Sequence, residues 1–296
     1  KKNKITLPMS MEYRKQTGIS YINFRIPKPR YNGKLNYLEI FKSDGKWKAS
    51  LVFEVDDIKC TKPKENLYID LGVKNLAAIY DGEKSTIYKG GLVLAENQYK
   101  NKKYRRFSMC FHLIRRKPSK EKRRLARQAL LRIKQQIHAM TSKIMETAKN
   151  EGKGIVIGNL TNIRDSMHFR KKTNQNNHQW VFGQISNQLE YKSKLNGVRF
   201  RKVDEKDTSK TCVLCGKKEN GRIYRGLYRC KLYNAVFNAD TGGGLNIMKK
   251  YLRIPLSRGS GIGVVAALAQ PAVLLWNEHE WRNEVSWPSA TNAVNP

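Results

Sequence analysis

A chain of 296 residues is long enough for one large α/β domain with an accessory part. Its 58 Lys and Arg against 24 Asp and Glu give a formal charge of +34, spread along the whole length. A field of that strength repels itself unless a polyanion neutralises it. Nucleic acid fits, because each phosphate paired with Lys or Arg releases a condensed counterion. A membrane span is not offered: the apolar stretch Ile262–Leu275 is interrupted by Gln270 and Pro271 and falls short of the roughly 20 residues required.

Residues 1–62 read as a β-rich segment able to grip a nucleic-acid backbone. Tyr21-Ile22-Asn23-Phe24-Arg25-Ile26 and Trp47–Phe53 alternate apolar and polar side chains, as half-buried strands do. Pro27 and Pro29 end the first run, and Ser43-Asp44-Gly45 precede the second. The opening Lys1-Lys2, with neither an initiator Met nor a signal peptide, gives the expectation of a product whose N-terminal side is incomplete.

Residues 63–206 carry a different pattern. Leu67–Gly72, Leu76–Tyr80 and Thr86–Tyr88 read as three strands, the first ending in a tight turn. A segment dense in Lys and Arg follows from Tyr99 to Arg127. Ser119 is placed to cap a long helix with Glu121 in its first turn. Leu130, Ile133, Ile137, Met140 and Ile144 draw an apolar stripe down it, and Asn150-Glu151-Gly152 stops it. Gly154–Ile157 is a fully apolar strand, Val181–Leu195 an amphipathic helix, and Val198–Val203 a further strand. The order β-β-β-α-β-α-β is that of an α/β, RNase H-like fold.

Within the basic segment, Lys102, Lys103, Arg105, Arg106, Arg115, Arg116, Lys120, Arg123 and Arg124 read as backbone contacts that position a duplex without reading its sequence. The five histidines, His112, His138, His168, His178 and His279, are scattered, none with a ligand partner at i+4. They read as packing or phosphate contacts, and Trp180 and Phe182 as core.

Two features carry chemistry. Asp70 lies at the end of a strand before Gly72, where an RNase H-like fold places a metal-binding carboxylate, although an Asp there is also a common turn residue. Hydrolysis of a phosphodiester in that fold uses two divalent ions held by carboxylates at strand ends, and Mg²⁺ prefers such hard oxygen ligands. The second feature is Cys212-Val213-Leu214-Cys215-Gly216 with Cys230 further on, in residues 207–236, which is half of a zinc-ribbon pattern. Five cysteines with three clustered point to metal in a reducing compartment rather than to a disulfide framework; Cys60 and Cys110 read as ordinary side chains. A fourth cysteine would fall at 233, where the residue is Tyr233, so the site holds zinc through three thiolates plus water or another ligand, or holds none. In residues 237–255, Asn238-Ala239-Asp240 opens a helix-like run; Gly242-Gly243-Gly244 within it is no phosphate loop, since no Gly-Lys-Ser/Thr ending follows. Residues 256–296 read as a C-terminal tail.

Taken in order, Ile69-Asp70-Leu71-Gly72-Val73, Asp207-Thr208-Ser209-Lys210-Thr211-Cys212, the cysteine ribbon and Ala239-Asp240 before Leu245-Asn246-Ile247 resemble the TnpB/OrfB proteins of small insertion sequences. Their RuvC core is shared with compact type V CRISPR effectors and Fanzor proteins. The resemblance spans roughly residues 60–255. It implies a wedge-type role for residues 1–62, a guide RNA, double-stranded target DNA, and cleavage at three carboxylates with Mg²⁺ or Mn²⁺, in the cytoplasm of a prokaryotic cell close to the nucleoid. Asp70 and Asp240 match the first and third carboxylates. The family's usual middle Glu is absent, the chain reading Gly158-Asn159-Leu160 there. In a rearranged subgroup the Glu stands just before the Thr-Ser-Lys-Thr-Cys segment, and Glu205 matches that position. The alternative is a nuclease-inactive relative that still binds RNA and DNA as a repressor or tether, with Asp204 and Glu205 as solvated charges. A transposase of the DDE type fits less well, because the ribbon between the last two carboxylates belongs to the RuvC group.

Overall fold

The computed structural model describes residues 4–25, 33–43, 46–56, 58–60, 62–112, 120–160, 181–218, 221–224 and 226–284. The chain divides into two compact units, Lys1–Asp57 and Ile58–Pro296. No helix among the described residues is long and apolar enough to cross a membrane.

The first unit is built from antiparallel pairs: β1 (Lys4–Pro8) with β2 (Tyr21–Arg25), and β3 (Lys34–Ser43) with β4 (Lys46–Glu54). Between β1 and β2 runs α1 (Met11–Thr17), capped by Ser10 Oγ, which accepts from the Tyr13 N–H, and closed by Gly18 at φ +70°. The two strands expected from alternation are present. β2 is more exposed than the pattern implies, with only Phe24 half-buried, because a two-stranded sheet has little to pack against. Pro27, Pro29, Asp44 and Gly45 lie outside the described residues.

The second unit is α/β, with a mixed seven-stranded sheet. Its strands are β5 (Asn66–Asp70), β6 (Asn75–Tyr80), β7 (Ser85–Lys89), β8 (Gly154–Asn159), β9 (Phe200–Asp204), β13 (Ala272–Trp276) and β14 (Trp281–Asn283), in the order β14-β13-β7-β6-β5-β8-β9. β6 runs antiparallel to both β5 and β7, while β8 runs parallel to β5 and β9 parallel to β8. The remaining elements are α2 (Gly91–His112), α3 (Lys120–Asn150), α4 (Phe182–Asn196), β10 (Arg222–Tyr224), β11 (Leu227–Cys230), β12 (Ala235–Asn238), α5 (Ala239–Tyr251) and α6 (Val265–Ala269).

Strand parity sorts the core into two clusters, since successive side chains point to opposite faces. Leu67, Ile69, Ile155 and Ile157 join Ile133, Ile137, Met140 and Ile144 of α3 and Ile185 and Leu189 of α4. Tyr68, Tyr80 and Val156 join Leu245 and Ile247 of α5 together with Cys212 and Cys230. Four of the five residues in the expected α3 stripe are buried. Leu130 is 54% exposed and lines a shallow recess with Tyr104 of α2 instead. Helix α2 was not legible in the sequence: among its described side chains only Val93 and Asn97 are buried, Leu92 and Tyr99 are exposed, and Lys and Arg interrupt any apolar period. The proposed cap Ser119 lies outside the described residues.

Residues beyond 256 do more than trail. β13 adds in parallel to β7, and Trp281 of β14 packs edge-on against Tyr88 at 5.2 Å. The indole N–H of Trp281 donates to the Gln136 carbonyl at 3.1 Å, tying this edge to α3.

Candidate functional site

Asp70, Glu205 and Asp240 come together at the carboxyl ends of β5, β8 and β9. Asp70 shares the face of Tyr68, the face covered by α5. The parallel register that pairs Ile69 with Ile157, and Gly158 with Val203, sets Asp70, Gly158 and the end of β9 side by side. Asp240 lies in the first turn of α5, where its charge complements the helix N-terminus. That turn is fixed by Asn238, whose Oδ1 accepts from the Asp240 N–H at 2.9 Å and the Thr241 N–H at 3.4 Å. The Asn75 amide donates to Asp240 Oδ2 at 2.6 Å, and an Arg222 guanidinium nitrogen lies 4.0 Å from its other oxygen.

Glu205 follows β9 and turns its side chain back over Gly158. A β-carbon at 158 would overlap the Glu205 carboxyl outright. Its neighbour Asp204 behaves as a surface charge, 74% exposed and 2.8 Å from Lys250. Glu205 does not: its Oε1 is buried and has no hydrogen-bond partner.

The electrostatics follow from this crowding. Burial, then the Glu205 and Asp240 carboxylates, push Asp70 well above the usual carboxylate range, with Arg222 opposing. Burial, then Asp204, push Glu205 up to about 7, with Lys250 opposing. Two neighbouring carboxylates that raise Asp70, together with a Glu205 oxygen lacking any donor, make a hard-oxygen set short of positive charge, although the oxygens of the three groups do not all lie within 4.8 Å of one another. A cleft of about 890 Å³ opens beside Asp240, lined by Lys74, Lys89, Arg222 and Tyr224 among others.

The cysteine cluster sits on the same face of the sheet. Cys212, Cys215 and Cys230 bring their sulfurs within 4.8 Å of one another, and no other Cys, His, Asp or Glu group of three does so among the described residues. Backbone N–H groups of Leu214 and Cys215 aim at the Cys212 sulfur, and those of Leu232 and Tyr233 at Cys230. Gly216 makes the turn after Cys215: it has φ +73°, and a side chain there would run into the Ser257 backbone. Burial pushes the Cys212 thiol up to about 12, the opposite of what an unliganded reactive cysteine shows. Tyr233 is 40% exposed, and its backbone N–H is directed at Cys230. The tyrosine whose hydroxyl does reach it is Tyr228, hydrogen-bonded to Cys212 and stacked on Phe237 at 5.0 Å. Cys60 is exposed.

The basic residues separate by helix. Lys102, Arg105 and Arg106 on α2, and Lys120, Arg123 and Arg124 on α3, are exposed; Lys103 is half-buried over the Tyr99 ring at 5.6 Å. Arg124 lies 3.9 Å from Glu121. Arg115 and Arg116 lie outside the described residues, as do His168, His178 and Trp180. No local pattern marks Asn75, Arg222 or Gly158 as neighbours of the carboxylates, because their approach is made by the sheet register and the β10–β11 hairpin.

Two family models match in succession: OrfB_IS605, described as a probable transposase, over residues 50–164, and the Cas12f1-like TNB domain over residues 182–247. A TnpB-like protein of Methanocaldococcus jannaschii is 30% identical over 124 residues, which is 40% of this chain and 43% of that protein. Over these stretches the chain is similar to proteins of the TnpB/OrfB family. The CRISPR-associated endodeoxyribonuclease Cas12f2 of Micrarchaeota archaeon (strain CG1_02_47_40) is 28% identical over 225 residues, 71% of this chain and 41% of that protein. The chain thus spans about two-fifths of the length of these curated relatives. Among solved structures, the cryo-EM structure of the Cas12f1–sgRNA–target DNA complex aligns with a TM-score of 0.47 at 22% identity, covering 71% of this chain and 55% of that one. The first family match contains Asp70 and Gly158; the second contains Glu205, the three cysteines and Asp240.

Proposed function

We propose that this chain is the nuclease part of an RNA-guided DNA endonuclease of an insertion sequence, with Asp70, Glu205 and Asp240 as its catalytic carboxylates. The observation that carries the reading is Glu205 folded over Gly158 beside Asp70. A middle carboxylate missing from β8 is thereby supplied from the end of β9. The strand order β7-β6-β5-β8-β9, three antiparallel and two parallel, supports an RNase H-like, RuvC-type core over residues 63–206 and 237–255. Residues 207–236 are then a zinc-ribbon insert and residues 1–62 a wedge-type nucleic-acid-binding segment.

Asp70, Glu205 and Asp240 would hold Mg²⁺ or Mn²⁺, which when bound would supply activation of a water and stabilisation of the leaving oxygen. The chain's own residues do the rest. Asn75 fixes the Asp240 carboxylate by its hydrogen bond. Burial raises the Asp70 and Glu205 acid groups, so both would release a proton more readily with a cation beside them. Lys102, Lys103, Arg105, Arg106, Lys120, Arg123 and Arg124, with Arg115 and Arg116, hold the phosphate backbone of guide RNA and target duplex. Cys212, Cys215 and Cys230 would hold Zn²⁺ in the ribbon as thiolates.

The test is to purify the chain with its co-expressed RNA, sequence that RNA, and incubate the complex with a matching duplex and Mg²⁺ or Mn²⁺. Guide-dependent cleavage is expected, and Asp70→Ala should lower it by roughly a thousandfold or more with RNA affinity unchanged. Cleavage that survives Asp70→Ala overturns the assignment. Guide-dependent binding without product under either ion selects the nuclease-inactive reading instead.

A further inference from the structure

We propose that Gly158 and Gly243 are positioning residues of the carboxylate centre, each leaving open a seat that a carboxyl group fills. The inference rests on the three carboxylates being the divalent-ion site. At Gly158 the volume of a β-carbon is taken by Glu205 Oε1 and Cδ; at Gly243 it is taken by Asp70 Oδ2, with Asp70 Cγ at 2.8 Å. Atoms cannot share that space, so a side chain as small as Ala displaces the carboxyl group in each case.

Backbone conformation does not account for either glycine. Neither has a positive φ, whereas Gly18, Gly152, Gly197 and Gly216 do. Each also stands where glycine is a poor former of the element, Gly158 inside β8 and Gly243 inside α5. A glycine that weakens its element without serving the backbone marks a close approach, and here the approaching groups are two of the three carboxylates. The third glycine of the run, Gly244, faces the Tyr68 carbonyl and Tyr80 Cβ, both 3.2 Å from where its β-carbon would stand, and serves the packing of α5 on the sheet.

The nature of the obstacle sets the outcome of substitution. At Gly216 and Gly259 a β-carbon would meet backbone, of Ser257 and Leu214 respectively, and the fold itself must shift. At Gly158 and Gly243 it meets the ends of movable side chains. Alanine is therefore expected to leave the fold standing and to move the carboxylates out of register.

The experiment uses the full chain, zinc-supplemented and stripped of nucleic acid, titrated with Mn²⁺ and read by the loss of free-Mn²⁺ electron paramagnetic resonance signal. Gly158→Ala and Gly243→Ala should each weaken Mn²⁺ binding by roughly tenfold or more, with thermal unfolding still cooperative. Double variants separate positioning from general damage. In a Glu205→Ala background Gly158→Ala should weaken Mn²⁺ binding no further, and in an Asp70→Ala background Gly243→Ala should add nothing; fully additive losses overturn the proposal. If Gly158→Ala alone is insoluble, the Gly158→Ala/Glu205→Ala double variant must fold, and its failure to do so is equally fatal. Wild-type Mn²⁺ affinity in both glycine variants, alongside lost affinity in Asp70→Ala and Glu205→Ala, sinks this proposal and leaves the metal site intact. Unchanged affinity in Asp70→Ala sinks the metal site as well.

Discussion

The two faces of the seven-stranded sheet handle buried charge in opposite ways. Under α3 and α4, Lys192 is only 8% exposed, and its ammonium donates to the His138 carbonyl, Thr141 Oγ1 and Ser142 Oγ at 2.6–2.9 Å. Under α5, Glu205 Oε1 is buried and meets no donor. A buried polar group is normally satisfied by the protein, since leaving one unpaired costs about 1–3 kcal/mol and more for a charge. On the first face the buried charge obeys that rule, although two neutral atoms there, Gln136 Oε1 and Ser193 Oγ, go without a partner. The second departs from it at a carboxylate, beside two more carboxylates, and the deficit is what a ligand cation would fill.

The largest expected effect breaks the contrast at Glu205. Glu205→Gln should abolish cleavage, by roughly a thousandfold, yet stabilise the metal-free chain. The sign follows from its acid group lying at about 7 instead of 4.5. Between those values the folded state holds a proton that the unfolded state has lost, so wild-type stability falls as pH rises through this window. The advantage of Glu205→Gln is therefore complete above pH 7 and absent below pH 4.5. Thermal melts across pH 4–8 in chelator read it, at about 2–4 °C for each kcal/mol. A variant that melts below wild type at pH 8 would show Glu205 to be satisfied after all.

The cysteine cluster, on the same face, gives a second and smaller contrast. The purified chain should carry close to one zinc, lost in Cys230→Ser, while Tyr233→Cys should slow its extraction by chelator at least about tenfold. Elemental analysis and a chromophoric chelator measure both. Equal extraction rates would mean that position 233 is not the place where a fourth ligand is wanted.

The smallest effect sharpens the other side. Burial lowers the Lys192 ammonium from 10.5 to about 8. Between these values the unfolded state holds the proton that the folded state has released, so stability contributed at this site rises with pH from about 8 to 10.5. Lys192→Met should flatten that rise, visible as a difference between the urea midpoints of the two proteins across pH 7.5–10.5. Parallel curves would refute it.

Much of the second unit was readable from pattern. Strands β5, β6, β7 and β8 and helices α3 and α4 announce themselves because their apolar residues recur at the period of the element. The cysteine triplet was legible because its spacing is a local motif, whereas Asp70 before Gly72 also read as a common turn residue and drew its proposed role from the family resemblance. Helix α2 was hidden by Lys and Arg that break any apolar period, and the strands β13 and β14 by residues that read as a tail. Glu205 was open to two readings, solvated or built into the site, because it stands directly after Asp204, which is solvated.

The sequence by itself determined the charge that calls for a polyanion, the alternation that splits the core between two faces, and the order of the carboxylates along the chain. Only the tertiary structure decided that Glu205 turns inward over Gly158, that Asn75 and Arg222 attend Asp240, and that Gly243 lies on Asp70. The reason is the range of the forces involved. Periodicity and capping act within a few residues, whereas an empty seat beneath a carboxylate exists only when strands far apart in sequence are held in one register.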